Sequence, residues 1–543
     1  MLIIYIKTCK LILLKHGEYA MARPRISARQ RLARALKELH DVLGADRGVV
    51  RGPQISNDTR VLLLKTGYLR EILKGWYFVS DPTSDAGDTT PFYANFWEYL
   101  ARYLSDRFGA DYCLTAEQSL LRHAQYNVIP PTVNVMLAVN QSQVQDLAFG
   151  HTVALYPGKG GFPAPAHQYM LQGLRCMSLP YCLVNLPPRY FTAHAREVQI
   201  AMAQMNDPGV LAVLVDVNRA GLARLLSGYR QVGRIDFVDA VLNQLKGLNI
   251  QIRTDDHPFD AESVYSLGRP GRTPLYARIH MLWMQHREAV LTCRPTTAII
   301  TASPDEYLTQ VQAVRVEDAY HSLSIERYRV TLELIRKIAE EGWDPLNNED
   351  DMKQVAAMAA KGYLDAFDLV KDDVVQAYTS RETDTLLGSR LFSEQHQVWY
   401  QKLFGPSVNA GILERADLVG YRRHMVFLRG SLHSPPHYDY VLDGMEALRE
   451  CFSQEPDAYV RAVLGHWLFG FIHPYMDGNG RMARFTMNLM LASGGYPWTI
   501  IRVEDRDRYM GALESASASD DITPFAKFLS ECVVRGSNST ANL

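Results

Sequence analysis

Two strongly apolar helical patterns joined by a short polar loop constrain the fold of this chain more than any other feature. Before the loop, apolar residues recur at helical spacing at positions 460, 463, 464, 467, 468 and 471. His473-Pro474 ends this pattern, because a residue before proline avoids helical angles. A second apolar stripe begins near Arg481 and ends at Gly494-Gly495. The sequence therefore predicts two buried helices, with residues 475–480 opening onto the N-terminus of the second.

The predicted loop carries the chemistry of an anion site. The first N–H groups of a helix have no partner within it, so they point at whatever lies beyond its end. Gly478 and Gly480 let the backbone approach a phosphate closely, and Arg481 adds a forked cation. Asp477 supplies a hard oxygen ligand suited to Mg²⁺, and His473 can accept a proton near neutral pH. These residues together predict a phosphate-binding site that includes a general base.

Residues 473–481 read HPYMDGNGR, and with Arg484 they resemble the Fic (filamentation induced by cAMP) motif HPFx(D/E)GNGRxxR. Tyr475 replaces the usual phenylalanine and keeps an aromatic ring in the core. The resemblance extends over residues 280–535 and implies an all-α domain. It also implies an enzyme that moves AMP from ATP to a Tyr, Ser or Thr hydroxyl of a target protein and releases pyrophosphate. The roles it implies are general base for His473, Mg²⁺ ligand for Asp477, γ-phosphate contact for Arg484, and phosphate cradle for Gly478, Asn479, Gly480 and Arg481.

A second segment, MVFLRGSLHSPPHYDYV at residues 425–441, alternates like a β-hairpin. It precedes the loop by about forty residues and resembles the flap of Fic proteins. The resemblance implies that its exposed edge binds the target peptide as an added strand. The alternative is an ordinary surface hairpin. The candidate target-binding residues are Gly430, Ser431, Leu432 and His433.

A third segment, DAYHSLSIERYRV at residues 318–330, resembles the inhibitory helix of Fic proteins, (S/T)xxxE(G/N). Ser322 and Glu326 match the pattern, one helical turn apart, while Arg327 departs from its last position. The resemblance implies that Glu326 pairs with Arg484 and takes the place needed by the γ-phosphate. Inhibition would then act within one chain. The alternative is a plain surface helix.

The N-terminal part, residues 21–90, has the element order of a winged helix. A basic amphipathic pattern over residues 23–40 is followed by a helix starting at Ser56-Asn57-Asp58 and a hairpin turning near Lys74-Gly75. Between Met21 and Gly75 there are twelve Lys/Arg against five Asp/Glu, as on a DNA-binding face. The same surplus could support a homodimer contact instead. The candidate DNA contacts are Arg60, Lys65, Arg70 and Lys74.

Residues 91–270 predict an α/β domain. Helical patterns such as ANFWEYLARYLSDRF alternate with β-branched runs such as TVNVMLAV and HTVALY, and a Gly/Pro-rich loop covers residues 156–165. A helical part follows over residues 210–248, and the preferred domain boundary lies at residues 268–274. LLLKTGYLREILKGWYF and YCLTAEQSLLRHA resemble antitoxins of the AbiEi type, which join a winged helix to an α/β domain. That resemblance implies a toxin–antitoxin context.

The expected fold class is therefore multidomain α+β, with an N-terminal winged helix, an α/β domain and a C-terminal all-α domain. A chain of 543 residues is too long for one core. A net charge of −2 gives no overall argument for a nucleic-acid or membrane partner, so such an argument has to be local. Seven cysteines without a CxxC pair favour reduced thiols and a cytoplasmic location, and no apolar run is long enough to cross a bilayer.

Both ends of the sequence carry expectations of their own. The natural start is expected at Met21, because residues 1–20 resemble an untranslated leader with a ribosome-binding sequence. Residues 536–543, GSNSTANL, are expected to form a disordered tail.

Two other functions stay open from the sequence. The Fic site could remove AMP from modified proteins, because a carboxylate at Glu326 could position a water molecule. Alternatively, the chain could be a DNA-binding regulator, similar to an antitoxin, in which the Fic part only senses nucleotide.

Overall fold

The structure is a computed structural model and describes residues 27–43, 48–80, 82, 89–159, 161–265, 272–295, 298–341 and 355–540. The chain forms two compact units, residues 1–84 and 85–543. The expected leader and the start at Met21 lie outside the described residues, and the boundary expected at 268–274 stays a prediction. The six cysteines of the described residues are free thiols, and five of them are buried. Among these residues, no helix combines the length and apolarity needed to cross a membrane.

The first unit is a small three-stranded sheet with two helices. Its elements are α1 (Ala28–Leu43), β1 (Val49–Arg51), α2 (Asn57–Lys65), β2 (Leu69–Leu73) and β3 (Trp76–Val79). The strand order is β1–β3–β2, antiparallel throughout, and Lys74-Gly75 forms the turn predicted for the hairpin. The predicted start of α2 is also present, since the Ser56 hydroxyl accepts from the Thr59 N–H at 3.3 Å. Strand β1 was not predicted.

The second unit begins with the expected mixture of helices and strands. Its sheet has the order β4–β5–β7–β6, in which β5 and β7 are parallel and the other pairs antiparallel, and β8 pairs with β9 separately. The elements are α3 (Thr90–Phe108), β4 (Tyr112–Leu114), α4 (Ala116–His123), β5 (Thr132–Leu137), β6 (Gln143–Asp146), β7 (Thr152–Pro157), β8 (Gln168–Leu171), β9 (Leu174–Met177), α5 (Leu179–Val184), α6 (Tyr190–Ala193), α7 (Ala195–Ala203), α8 (Gly209–Ala212), α9 (Arg219–Gln231) and α10 (Ile235–Gly247).

The remainder of the second unit is helical, as expected. Its helices are α11 (Pro274–Thr292), α12 (Pro304–Ala313), α13 (Arg315–Ile325), α14 (Leu332–Glu341), α15 (Val355–Thr379), α16 (Leu387–Asn409), α17 (Val441–Gln454), α18 (Ala458–Ile472), α19 (Asn479–Ala492), α20 (Arg506–Ala518) and α21 (Thr523–Thr540). Helices α18 and α19 are the predicted apolar pair and are buried along almost their whole length. Helix α11 packs in both cores: Ala277 and Met281 join the α/β core, and Leu275 and Ile279 join the helical one.

The predicted C-terminal tail is partly helical, because α21 continues through Thr540. At Gly536 an added Cβ would lie 3.3 Å from the Trp498 carbonyl, so this end of the helix packs closely against the segment after α19.

The β-hairpin predicted at residues 425–441 is wrong. Among the described residues, this segment is irregular, with one isolated antiparallel bridge between His433 and Val128 and a 3₁₀ turn at Tyr438–Tyr440. The physical reason is that its backbone groups bind elsewhere: the Ser434 N–H donates to the Asn127 carbonyl at 2.7 Å. Two consecutive prolines, Pro435 and Pro436, also have no N–H to donate to a strand partner.

Candidate active site

The candidate active site lies where α18 ends and α19 begins. His473 caps α18 in a left-handed conformation (φ 51°, ψ 61°), and its Nδ1 lies 3.3 Å from the Gly470 carbonyl. A carbonyl can only accept, so Nδ1 carries the proton and Nε2 keeps its lone pair. Burial, helped by the charge of Arg422, lowers the pKa of His473 to about 4. The imidazole is therefore neutral at pH 7, with one nitrogen able to accept a proton.

The loop after His473 is held by its own side chains. Tyr475 is buried, as predicted, and stacks on Tyr400 with ring centroids 3.7 Å apart. The Asn479 side chain accepts from the Tyr475 N–H at 2.9 Å and donates to its carbonyl at 2.8 Å. Gly478 has φ +83°, and a Cβ there would lie 2.8 Å from the Phe404 ring. The resemblance implies that Asn479 contacts phosphate. In the structure, both the oxygen and the nitrogen of its side-chain amide form hydrogen bonds that close the loop.

Arg481 and Asp477 lie on the same side of this loop. The Arg481 guanidinium is 1% exposed, and its centre lies 5.0 Å from the Phe404 ring centroid and 5.2 Å from that of Tyr328. Its Nη2 is 3.5 Å from the Asp477 carboxylate, which is largely exposed. The Arg481 Nε is buried and makes no hydrogen bond within the described part of the chain. A buried cation with a spare donor at a helix N-terminus is suited to an anionic ligand.

Arg484 meets the segment that resembles the inhibitory helix. Its Nε donates to the Ser322 hydroxyl at 2.8 Å, and its Nη2 donates to the Ser322 carbonyl at 3.0 Å and to Glu326 Oε1 at 2.9 Å. The Glu326 carboxylate also reaches the start of α19, because a Cβ added at Gly480 would lie 2.1 Å from Oε1. The carboxylate therefore occupies the position at a helix N-terminus where a phosphate oxygen would be favoured.

The segment that resembles the inhibitory helix is shorter as a helix than its pattern suggested, because α13 ends at Ile325. Arg327 follows with φ +65°, the left-handed conformation that favours glycine or asparagine. The Arg327 N–H donates to the Ser324 carbonyl and the Tyr328 N–H to the Leu323 carbonyl, which is a Schellman helix end. This explains physically why the pattern (S/T)xxxE(G/N) specifies Gly or Asn where this chain has Arg327.

Sequence reasoning missed several residues that contact the site, among them two whose side chains hydrogen-bond to it. Arg422 is buried, and it donates through Nε to the His473 carbonyl at 2.8 Å and through Nη1 to the His424 carbonyl at 3.0 Å; its Nη2 also donates to Pro436. It thus joins the loop after His473 to the segment predicted as a flap. Tyr328 is the other, and its hydroxyl contacts both Arg481 and Asp477. A single arginine or tyrosine outside a motif carries no spacing signal that could have identified either residue.

The four flap residues differ in exposure. Gly430 and Leu432 are exposed, but the Leu432 N–H and the Ser431 hydroxyl both donate to Glu514. His433 is buried and donates from Nε2 to the Phe471 carbonyl at 2.9 Å, so its Nδ1 accepts from the Asn127 side chain at 3.0 Å. The edge expected to receive a target peptide is therefore bound at His433 by the α/β part of the same unit.

The four candidate DNA contacts lie in the first unit. Lys65 and Lys74 are exposed, whereas Arg60 and Arg70 are half-buried. Arg60 donates to the Asn57 side chain. Helix α2 also exposes Val61 and Leu64, so its outer face carries apolar as well as basic side chains.

Comparisons with known proteins agree with this geometry. Residues 388–491, which include the loop and α19 up to Leu491, match the Fic/DOC family. The chain is 29% identical over 223 residues to the protein adenylyltransferase Fic of Nematostella vectensis, covering 40% of this chain and 46% of that protein. It is 26% identical over 267 residues to the protein adenylyltransferase Fic of Aedes aegypti, covering 46% and 45%. The chain thus spans about half the length of the curated relatives it matches.

Among solved structures, the chain is similar to a Fic domain containing signalling protein from Bacteroides thetaiotaomicron. The TM-score is 0.33 at 18% identity, over 48% of this chain and 96% of the other. It is also similar to Fic-1 from C. elegans, with a TM-score of 0.34 at 16% identity over 64% of this chain and 86% of that one.

Proposed function

We propose that this chain is a protein adenylyltransferase, which transfers AMP from ATP to a hydroxyl side chain of a target protein. The observation that carries the proposal is one loop that joins a neutral His473 to a helix N-terminus flanked by two buried arginines. Buried nitrogens of both, Arg481 Nε and Arg484 Nη1, make no hydrogen bond within the described residues. The curated relatives are named protein adenylyltransferases. The target protein and the side chain it offers are left to experiment.

The proposed reaction is an in-line displacement at the α-phosphorus. The target hydroxyl oxygen bonds to this phosphorus, and its proton passes to Nε2 of His473. The bond from the α-phosphorus to the oxygen that bridges it to the β-phosphate breaks, and the electron pair leaves with pyrophosphate. Arg481, Arg484 and the first N–H groups of α19 hold the phosphate oxygens. Catalysis then rests mainly on positioning and charge stabilisation, as is general for phosphoryl-group transfer.

The residues present fit one Mg²⁺ ion bound together with the nucleotide. Asp477 offers an exposed carboxylate beside the proposed phosphate positions, and magnesium in such sites commonly has one or two carboxylates with phosphates and water. Within the described residues there is no group of three or more His, Cys, Asp or Glu able to hold a metal alone. The bound ion would supply charge neutralisation for the phosphates. Asp477 orients it.

The same proposal includes inhibition by the chain itself. Glu326 and the γ-phosphate would compete for Arg484, because both are anions and the guanidinium is already bonded to Ser322 and Glu326. Nucleotide would still enter, but without its γ-phosphate held, the α-phosphorus would not be aligned. Removal of the carboxylate is therefore expected to activate transfer.

The test uses the full chain with α-labelled ATP, Mg²⁺ and a bacterial lysate. Glu326→Gly should increase labelling of protein at least about tenfold, the effect expected of a buried charged hydrogen bond, and Glu326→Gly/His473→Ala should label nothing. Glu317→Gly, on the same helix but away from Arg484, is the matched control and should match the unsubstituted chain. Labelling that survives in the His473→Ala chain would refute the role of the base, and no labelling in any variant would refute transfer.

A second candidate is hydrolysis of AMP-modified proteins, which the position of Glu326 favours. Its carboxylate lies at the start of α19, where it could hold a water molecule. AMP-labelled protein from the first assay provides the substrate. Loss of label that requires Glu326 would support the hydrolase, and stable label would exclude it.

We further propose that the first unit is a winged helix and that its exposed lysines bind DNA. The strand order β1–β3–β2, the helix α2 ahead of the hairpin, and the exposed Lys65 and Lys74 support this. Binding to DNA upstream of its own gene should weaken with salt and fall in Lys65→Ala/Lys74→Ala. If the protein shows no salt-dependent binding to DNA, the first unit is instead a protein-binding unit, for which a homodimer contact is one form. The likeness to antitoxins and the cytoplasmic location remain predictions.

A further inference from the structure

Among the described residues outside the loop, Tyr328 contacts both Asp477, the proposed metal ligand, and Arg481, one of the proposed phosphate-binding cations. Its hydroxyl donates to Asp477 Oδ2 at 3.4 Å and accepts from Arg481 Nη2 at 3.4 Å. Its ring lies beneath the Arg481 guanidinium, 5.2 Å from centre to centroid. Glu326, by contrast, contacts Arg484.

The backbone explains why Tyr328 and Glu326 reach the same loop. Arg327 between them has φ +65°, which reverses the chain at the end of α13. The two Schellman hydrogen bonds, from Arg327 to Ser324 at 2.9 Å and from Tyr328 to Leu323 at 3.1 Å, fix this reversal. The two side chains therefore project from one rigid turn onto two neighbouring parts of the phosphate site.

We propose that Tyr328 is a second internal occupant of the nucleotide site, which holds Asp477 and Arg481 while Glu326 holds Arg484. This inference rests on the proposed function and extends it from the γ-phosphate position to the position of the metal-bound phosphates. The phenol must leave before the Asp477 carboxylate can serve a metal ion and before Arg481 can turn its donors to phosphate oxygens. Substitution of Glu326 alone thus leaves the contacts of Tyr328 with Asp477 and Arg481 in place.

The size of the effect follows from the contacts. The two hydrogen bonds of the hydroxyl, at 3.4 Å, are long and therefore weak, and the cation–π contact of the ring stays in place when only the hydroxyl is removed. Removal of the hydroxyl is expected to tighten magnesium-dependent nucleotide binding about threefold to tenfold. The effect should be on both the nucleotide affinity and the Mg²⁺ concentration needed for half-saturation, because Asp477 is one of the partners.

The experiment measures binding, not transfer, by calorimetric titration of the full chain with α,β-methylene-ATP and Mg²⁺. The variants are Glu326→Gly, Glu326→Gly/Tyr328→Phe and Glu326→Gly/Tyr320→Phe. Tyr320 is on α13, the helix that precedes Tyr328, and its ring contacts His321, so it is the matched control. Tyr328→Phe keeps the ring and should fold normally, which its melting temperature verifies.

We expect the Tyr328→Phe double variant to bind the analogue about threefold to tenfold tighter than Glu326→Gly, at lower Mg²⁺, and the Tyr320→Phe double variant to equal Glu326→Gly. Equal affinities for all three would overturn this inference while leaving the proposed function intact. No binding by any of the three would overturn the proposed function and, with it, this inference.

Discussion

Gly480→Ala offers a direct test of the position of Glu326 that does not depend on any activity. The new Cβ would lie 2.1 Å from Glu326 Oε1, whereas the nearest atom of any other residue, Arg484 Nη1, would be 3.3 Å away. A real Cβ almost never comes within 3.0 Å of another heavy atom, so the carboxylate must move by about 1 Å. A shift of that size away from Arg484 lengthens the 2.9 Å contact between Glu326 and Arg484 beyond hydrogen-bond range.

The expected cost is that of breaking a charged hydrogen bond to a buried arginine, about 2 kcal/mol. In a Glu326→Gly background the clash is absent, so the same change should be nearly neutral or slightly favourable, because alanine suits a helix better than glycine. The double-mutant cycle should therefore give a coupling of about 2–3 kcal/mol. For a unit of this size, that corresponds to a difference of about 2–3 °C in melting temperature.

The assay is thermal unfolding of four chains: unsubstituted, Gly480→Ala, Glu326→Gly and the double variant. Gly511→Ala is the control, since Gly511 lies in a helix where an added Cβ meets nothing within 4 Å. If Gly480→Ala lowers the melting temperature equally in both backgrounds, the carboxylate is not against Gly480 and the reasoning fails.

The remaining predictions concern Arg422, Arg327 and the buried histidines. Arg422→Met removes hydrogen bonds to the His473 and His424 carbonyls. In Glu326→Gly protein we therefore expect this change to lower the rate of AMP transfer about tenfold or more and to speed amide hydrogen exchange at residues 424–436. Arg423→Met, at an exposed arginine, is the control. Arg327→Gly relieves a left-handed backbone (φ +65°) and should raise the melting temperature by about 1–2 °C, whereas Arg327→Val should lower it. Burial lowers the pKa of four histidines to about 3 or 4: His396, His433, His466 and His473. Near pH 6.5, therefore, only the unfolded chain binds protons at these histidines. The free energy of unfolding then decreases as the pH falls from 6.5 towards 4, by about 1.4 kcal/mol per pH unit for each histidine. Burial raises the pKa of Asp318 to about 6, so this carboxyl binds a proton in the folded state over part of the same pH range. Its contribution offsets the loss of stability from about one histidine. Equal melting temperatures at about pH 7.5 and about pH 5.5 would contradict this prediction.

The loop and its two helices could be predicted because their signals are local. His473-Pro474 sets the end of α18, the glycines set the loop, and an apolar stripe of fixed period sets each helix. The α2 start at Ser56 and the turn at Lys74-Gly75 were predictable for the same reason, since a capping side chain and a glycine with positive φ act within a few residues.

The flap could not be predicted in this way, because its partners are distant in sequence. The alternation of residues 425–441 suggests a strand, yet a strand needs a neighbour, and the hydrogen bonds of Ser431, His433 and Ser434 go to Glu514, Phe471 and Asn127. Strand β1 was missed for the converse reason: three residues are too few to show a period, and only pairing with β3 makes Val49–Arg51 a strand. Arg422 and Tyr328 likewise owe their positions to packing alone.

Two distant segments contact the loop, and a third contacts the segment predicted as a flap. Residues 322–328 contact the two arginines and Asp477, Arg422 contacts the backbone of His473, and Asn127 contacts His433 beside it. The first contacts involve charges that a nucleotide would need, while the other two are satisfied hydrogen bonds that a nucleotide would leave alone. Under the proposed inhibition, activation requires movement at the end of α13, whereas Arg422 and Asn127 keep their contacts. A variant that activates by loosening residues 322–328 should consequently keep the flap segment protected, because the two sets of contacts share no residue.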